Sequence, residues 1–353
     1  MGLTDLGSLG RERLNRAKLA RATAAAGAAL LLSALAGGVA SAQDKTYVMK
    51  ISAPTINAAP DQFGRVYGAM VEKDSGGRIK AEVYPASQLG PIARQIEGTQ
   101  FGAIQCAVIP PEFFVGVDDR FEVLAAPGLV DTMEHGQHVA ADPAVAKLML
   151  GLGAGKGLYG AAVFMAEQNA VISRSPIRHL DDFKGKKIRV FASKFQTEAF
   201  ERLGVTPVAM TLGDVLPAIQ QGAIDGAIAG ITIFTGMHYQ DAAKYVTATE
   251  QPAIFLVAEI NRNWHDSLPA DLQQIVDNDA AKAVAAINSW TIDFNAKARK
   301  LWVGGGGEMI TLPAAEQSAM MKTLASVGDD VSKSKPGLAA AYQVVKDAAQ
   351  RTR

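Results

Sequence analysis

The strongest constraint on this fold is an alternation of hydrophobic period that runs twice along the chain. Between 46 and 110 the pattern switches repeatedly between two residues, the period of a half-buried strand, and about 3.6, the period of an amphipathic helix. Strands are expected over TYVMKIS (46–52), RIKAEVY (78–84) and IQCAVIP (104–110), with helices over 60–74 and about 91–101. A strand–helix–strand series of this kind builds a parallel sheet covered by helices. A second series starts near 157 with LYGAAVFM, KKIRVFA and VTPVAM. It adds helices near 195–203 and 212–221 and closes on AIDGAIA. Thr211 and Asp214 have the T-x-x-D spacing of a capping box for the second of those helices. Two α/β lobes are implied.

From Leu268 to about Leu301 a helical pattern continues without a strong break, placing Leu272, Val276, Ala280, Val284 and Ile287 on one stripe. At about 1.5 Å per residue such a helix approaches 50 Å, longer than one small lobe. It is expected to span both lobes, in one piece or kinked. The glycines at 304–307 end it, and two shorter helices are expected after them. No low-complexity linker separates the series, so the chain is expected to cross between lobes several times at a hinge.

The N-terminus bears on the compartment. Arg11, Arg13, Arg16, Lys18 and Arg21 precede an apolar run (24–40) that ends in Ala40-Ser41-Ala42. A basic start, an apolar middle and an A-x-A site describe a secretory signal peptide over 1–42. The run is Gly/Ala-rich and short of the roughly 20 residues a spanning helix needs, which argues against a membrane anchor. No cysteine follows the cleavage site, which argues against a lipid anchor. A periplasmic mature chain from Gln43 is expected. The leader holds five Lys/Arg and two Asp/Glu, so the mature chain is slightly acidic and has no basic block. Nucleic acid and anionic membrane surfaces are poor partners for it. Cys106 is the sole cysteine, so no internal disulfide forms, and in IQCAV it reads as a small core residue. The core must carry stability, and at 48% hydrophobic residues the chain has the material for one.

Catalytic and metal signatures are thin. GLGAGKG (151–157) lacks the spacing of a phosphate loop and stands between a helix and a strand, so it reads as a helix end. His135 and His138 have no HExxH motif or Cys/His cluster around them and read as scattered surface residues. G-x-S-x-G is missing. No cofactor or metal is expected.

One residue does stand out. In GKKIRVFAS (185–193), Ile188, Val190 and Ala192 alternate as the buried side of a strand, and Arg189 interrupts a stretch otherwise built as sheet core. An arginine there is either paired to an acidic neighbour at the surface or held to grip an anion. Its planar fork matches a carboxylate.

The segment 185–226 resembles the signature of the DctP-type substrate-binding proteins of TRAP transporters. The likeness runs through Gly185, Lys187, Ile188, Arg189 and Val190, then Leu203, Gly204, Pro207, Val208 and Met210. It continues through Val215, Ala218, Gln220, Gly222, Ile224, Asp225 and Gly226, and extends to 76–90 and 264–276. The resemblance implies a two-lobed α/β clamshell with mixed sheets, hinge strands and a long helix spanning both lobes. On that reading lobe I holds 43–166 plus 255–294, and lobe II holds 167–254 plus 295–353. It also implies a receptor, expected to be monomeric, that closes over a small organic acid and delivers it to TRAP membrane subunits. Arg189 becomes the carboxylate clamp. Asn169 stands where the family often has a second arginine. Leu216 and Asp214 replace the tyrosine and glutamate of its E-V-Y motif, and Ala229 replaces an asparagine. A site short of polar groups suits a monocarboxylate with an apolar or aromatic body, since a buried unpaired polar atom costs about 1–3 kcal/mol. Glu167 and Asn169 are expected as hydrogen-bond partners, with Phe191, Asp214, Phe234 and Phe195 within reach. Phe113 and Phe114 are candidates for the opposite wall. Two rivals stay open: a binding protein for another importer or sensor, and a secreted enzyme acting on a carboxylate.

Overall fold

β1 (Tyr47–Ser52) is followed by α1 (Ala59–Asp74), β2 (Ile79–Tyr84), α2 (Ile92–Phe101) and β3 (Cys106–Ile109). This is the first alternating series, and the computed structural model, which describes residues 45–191 and 193–353, places its three strands side by side. β1 lies parallel to both neighbours, with Ile51 opposite Val83 on β2 and opposite Cys106 on β3. The proposed leader lies outside the described residues. Two further helices, α3 (Met133–Ala141) and α4 (Pro143–Gly151), lead into β4 (Leu158–Ser173). As expected, the glycine-rich turn after α4 ends a helix and enters a strand.

The second series supplies β5 (Lys187–Val190), α5 (Lys194–Arg202), β6 (Thr206–Ala209), α6 (Leu212–Gln220) and β7 (Gly226–Gly230), with β5 parallel to β6 and β7. After the short helix α7 (Ile231–Gly236) come β8 (Tyr245–Ala248), β9 (Ala253–Asn261), α8 (Arg262–Asp266) and α9 (Ala270–Gly304). β10 (Glu308–Thr311) pairs with β8, and α10 (Ala314–Leu324), α11 (Val327–Ser332) and α12 (Pro336–Arg351) close the chain. Three helices, not two, follow the glycines.

The strands form a mixed path in the order β2-β1-β3-β9-β4-β7-β5-β6, with β8 and β10 branching from β4. β4 is the joint. Leu158–Gln168 pair antiparallel with β9 in one sheet, whereas Asn169–Ser173 pair with β7 in the other. A single 16-residue strand thus belongs to both halves. This gives the two-lobed α/β architecture, and Thr46–Arg353 cohere as one unit without a linker.

α9 is one unbroken helix of 35 residues, roughly 50 Å long. Its buried stripe includes Leu272, Val276, Ala280, Ala283 and Ile287, so Ala283 takes the place expected for Val284. Near one end Tyr67 of α1 donates to the Val276 carbonyl at 3.0 Å. Near the other, Thr235 of α7 donates to the Ala298 carbonyl at 3.3 Å. Those anchors lie in different halves of the molecule, so the helix braces both. No helix among the described residues is long and apolar enough to cross a membrane.

Candidate functional site

β5 is buried on both faces. Ile188, Arg189 and Val190 are each no more than 1% exposed, so simple in–out alternation fails here. The strand ends at Val190, and Ala192 lies outside the described residues. Arg189 sits one residue from the C-terminal end of a parallel strand, flanked by Val208 on β6 and Ala227 on β7. Ligands of open α/β sheets bind beyond such strand ends.

The neighbouring chain segments hold its guanidinium in place. Nε donates to the Met210 carbonyl at 3.0 Å and Nη1 to the Ile228 carbonyl at 3.2 Å. Guanidinium carries five N–H donors, so part of the fork stays uncommitted. The Phe191 ring centroid lies 4.7 Å from the guanidinium carbon. Burial pulls the Arg189 pKa down to about 10, opposed only weakly by the Tyr239 phenol, and no carboxylate among the described residues offsets it. At neutral pH the group is a buried cation without a counter-ion, an arrangement that is costly unless an anion joins it.

Arg189 lines a small cavity whose walls are almost wholly apolar: Pro54, Ile92, Phe113, Phe191, Ile254 and Leu256 contribute, and the polar lining is Thr55, Glu167 and Arg189. Glu167 comes from β4. Its Oε1 accepts from the Thr232 hydroxyl at 2.8 Å and its Oε2 from the Thr232 N–H at 3.1 Å. Burial nevertheless pushes its pKa up to about 7. The carboxyl lies over Gly230, where an added Cβ would sit 1.6 Å from the Glu167 carboxyl carbon, so only glycine leaves it room. Thr55 follows the C-terminal end of β1. Its hydroxyl is buried and has no partner among the described residues.

The structure thus brings Arg189, Glu167, Phe191 and Phe113 to one cavity and leaves Asn169, Asp214, Phe234, Phe195 and Phe114 out of its lining. Asn169 is buried, and its amide donates to the Pro252 carbonyl at 2.6 Å, tying β4 to the segment before β9. Asp214 lies exposed on the first turn of α6, where it accepts from the Thr211 hydroxyl at 2.8 Å. That bond replaces the expected capping box, because the Thr211 side chain caps no backbone N–H. Phe234 is buried against Tyr239 and Trp302, with centroids 5.5 and 6.4 Å away. Phe195 packs on Tyr342 and Phe114 on Phe121, while Phe113 does face the cavity, 5.3 Å from Phe191. His135 is also not a surface residue: it is buried, with Nε2 2.9 Å from the Ala349 carbonyl. Among the described residues no group of three or more His, Cys, Asp or Glu is placed to hold a metal.

Sequence reasoning passed over Thr55. Its only signal was its place just past a strand end, because its burial depends on residues far away in the chain.

Comparison with known proteins agrees with the fold. The model of the family described as bacterial extracellular solute-binding protein, family 7 (DctP) matches residues 53–334. The C4-dicarboxylate-binding periplasmic protein DctP of Rhodobacter capsulatus is 27% identical over 267 residues, covering 75% of this chain and 80% of that protein. An uncharacterised protein of Salmonella typhimurium, YiiZ, is 29% identical over 214 residues; the match spans 60% of this chain and 64% of the relative's length, just under two thirds. Among solved structures, a TRAP periplasmic solute-binding protein of Desulfovibrio salexigens with bound orotic acid superposes with a TM-score of 0.82 at 21% identity, covering 87% of this chain and 100% of that one.

Proposed function

The chain belongs to family 7 of the bacterial extracellular solute-binding proteins, and from that premise we propose that it is a periplasmic receptor for a monocarboxylate with an apolar or aromatic body. It closes two lobes over the acid and delivers it to a TRAP-type membrane transporter. The observation that carries this reading is the Arg189 guanidinium: buried, without a counter-ion among the described residues, and set in the wall of a mostly apolar cavity. A ligand carboxylate supplies the missing anion and meets the free part of the fork in a bidentate pair. Phe191 and Phe113 flank the ligand body, and Glu167 and Thr55 offer hydrogen bonds.

The class follows from what the lining lacks. A second ligand carboxylate would meet no second cation, because Arg189 is the only basic residue of the lining, and it would lie near Glu167. A sugar acid would leave several hydroxyls facing apolar walls, at about 1–3 kcal/mol for each unpaired group. Orotic acid, held by the Desulfovibrio protein, combines a planar ring with one carboxylate. In this reading Asn169, Asp214 and Phe234 shape the frame and do not touch the ligand. Residues 1–42 act as the export leader. Lobe I comprises 43–166 plus 255–294, and lobe II comprises 167–254 plus 295–353. The receptor works as a monomer.

Small molecules released by denaturing the purified protein and identified by mass spectrometry test the proposal. A monocarboxylic acid with a ring or aliphatic body, at about one per protein, is expected. A dicarboxylate, a polyhydroxy acid or chemical turnover of the released compound would overturn the class.

A further inference from the structure

The segment that closes one side of the cavity carries two buried carboxyl groups beyond those of the binding site. Glu112 lies on the 3-10 helix Pro111–Phe114 and Glu122 on the 3-10 helix Asp119–Ala125. Their exposures are 1% and 2%. Both meet the first turn of α5, the helix that follows β5 and Arg189. Glu122 Oε2 accepts from the Lys194 N–H at 2.6 Å. Glu112 Oε1 accepts from the Gln196 amide at 3.4 Å, and Gln196 Oε1 in turn accepts from the Phe191 N–H at 2.9 Å. Phe191 is the ring that lies against the Arg189 guanidinium. A continuous route therefore joins Glu112 to the clamp through Gln196 and Phe191.

Glu112 is placed as a neutral group. Its Oε2 is buried with no partner among the described residues. Ionised, it would keep one long amide hydrogen bond and one to its own backbone N–H against the full desolvation of a charge. The charges around it do not favour ionisation either. Glu122 is the nearest titratable neighbour and raises the Glu112 pKa further. Lys194 and Asp119 bear on Glu122, and Lys335 is paired with Asp119. Burial, with Glu122 adding to it, pushes Glu112 up to about 8.

We propose that Glu112 is a positioning residue that seats Gln196 and Phe191 against the clamp when the lobes meet, and that the receptor takes up one proton at Glu112 as it closes. The proposal rests on the two-lobed reading above, in which 111–125 and 191–196 belong to different lobes. When those segments part, water reaches Glu112 and its pKa returns to the ordinary carboxyl range. The sign follows. Closure binds a proton, so lowering the pH favours the closed form from about pH 8 down to the ordinary carboxyl range and has no further effect below it. One proton gives up to about tenfold in the closed-to-open ratio per pH unit, or roughly 50-fold between pH 8 and pH 6, because half the protons are already bound at pH 8.

The test uses no ligand, so it stands or falls separately from the identity of the bound acid. Donor and acceptor dyes go on cysteines introduced at exposed Phe101 and Asp181, which lie in different lobes, while buried Cys106 is out of reach. Single-molecule energy transfer is then recorded from pH 9 to pH 5. The wild type is expected to show the roughly 50-fold rise in closed-to-open ratio between pH 8 and pH 6. Glu112→Gln, neutral at every pH, should give a flat profile, as closed at pH 8 as the wild type is at pH 5. Glu112→Ala, which loses the bond to Gln196, should be flat and open. A pH-independent wild type overturns the proposal. So does a Glu112→Gln response that tracks the wild type, which would assign the proton to Glu167. Equal closure of Glu112→Ala and Glu112→Gln overturns the positioning role.

Discussion

Two carbonyls, those of Met210 and Ile228, hold the Arg189 fork in one orientation, which removes much of the entropy a free arginine would lose on gripping a carboxylate. Lysine at this position has a point-charge ammonium on a flexible stem and no planar fork. Arg189→Lys is therefore expected to fail nearly as badly as Arg189→Ala. Ligand at about 100 times its dissociation constant stabilises the native state by roughly 2.7 kcal/mol. For a chain of this size that raises the melting temperature by about 2–4 °C per kcal/mol. With the co-purified acid as probe, both variants should lose most of that shift in a thermal melt while their ligand-free melting points stay close to wild type. If Arg189 were mainly a structural cation, the melts would show the reverse: a lowered ligand-free value and an intact ligand shift.

At the scale of elements, β9 carries an unusual group. Glu259 is fully buried near the C-terminal end of the strand, opposite Ala107 of β3 and Gly160 of β4, and neither of its oxygens has a partner among the described residues. Burial pushes its pKa well above the ordinary carboxyl value, with Arg262 pulling weakly the other way. The folded chain therefore holds a proton that the unfolded chain releases. Stability falls as pH rises from the ordinary range toward the folded value, at up to about 1.4 kcal/mol per pH unit. Glu259→Leu, similar in volume and unable to ionise, should be more stable than wild type, and the gap should widen from pH 5 to pH 8 in chemical denaturation. A gap that stays constant with pH would show that the carboxyl does not titrate on unfolding. This strand also marks a limit of sequence reading. β1 to β3 and β5 to β7 were legible because alternating periods and turn residues bound them. β9 is buried along its whole length, so no two-residue period singles it out. β4 was legible only in its first half, because its passage from one sheet to the other depends on partners nearly a hundred residues away. The same applies to the site. Arg189 and Glu167 announce themselves as charges in apolar strands, whereas Asn169 and Phe234 share those strand and helix signals yet point elsewhere.

At the scale of the molecule, the connections between the halves include β4 at Gln168 and Asn169, the segment from β8 to β9, and α9. The first two are fastened together, since Asn169 donates to the Pro252 carbonyl and its own carbonyl accepts from the Glu250 N–H at 2.9 Å. Glu250 there adopts a positive φ of 58°, a left-handed conformation that is uncommon for a residue other than glycine. Gln251 then ties the segment to the 128–130 loop, accepting from the Gly128 N–H and donating to the Val130 carbonyl. On the two-lobed reading proposed above, bending is absorbed by a few backbone torsions around 169 and 248–253 and by flexing of α9 between its two anchors, while the sheets move as rigid bodies. Saturating the ligand-free protein with its co-purified acid should reduce the radius of gyration in small-angle scattering and leave the helical circular dichroism signal unchanged, because closure turns lobes without melting helices. A loss of helical signal on binding would mean that α9 breaks rather than flexes. An unchanged scattering profile at saturation would mean that the acid enters a cavity already closed, and the two lobes would then form a fixed pocket in place of a hinge.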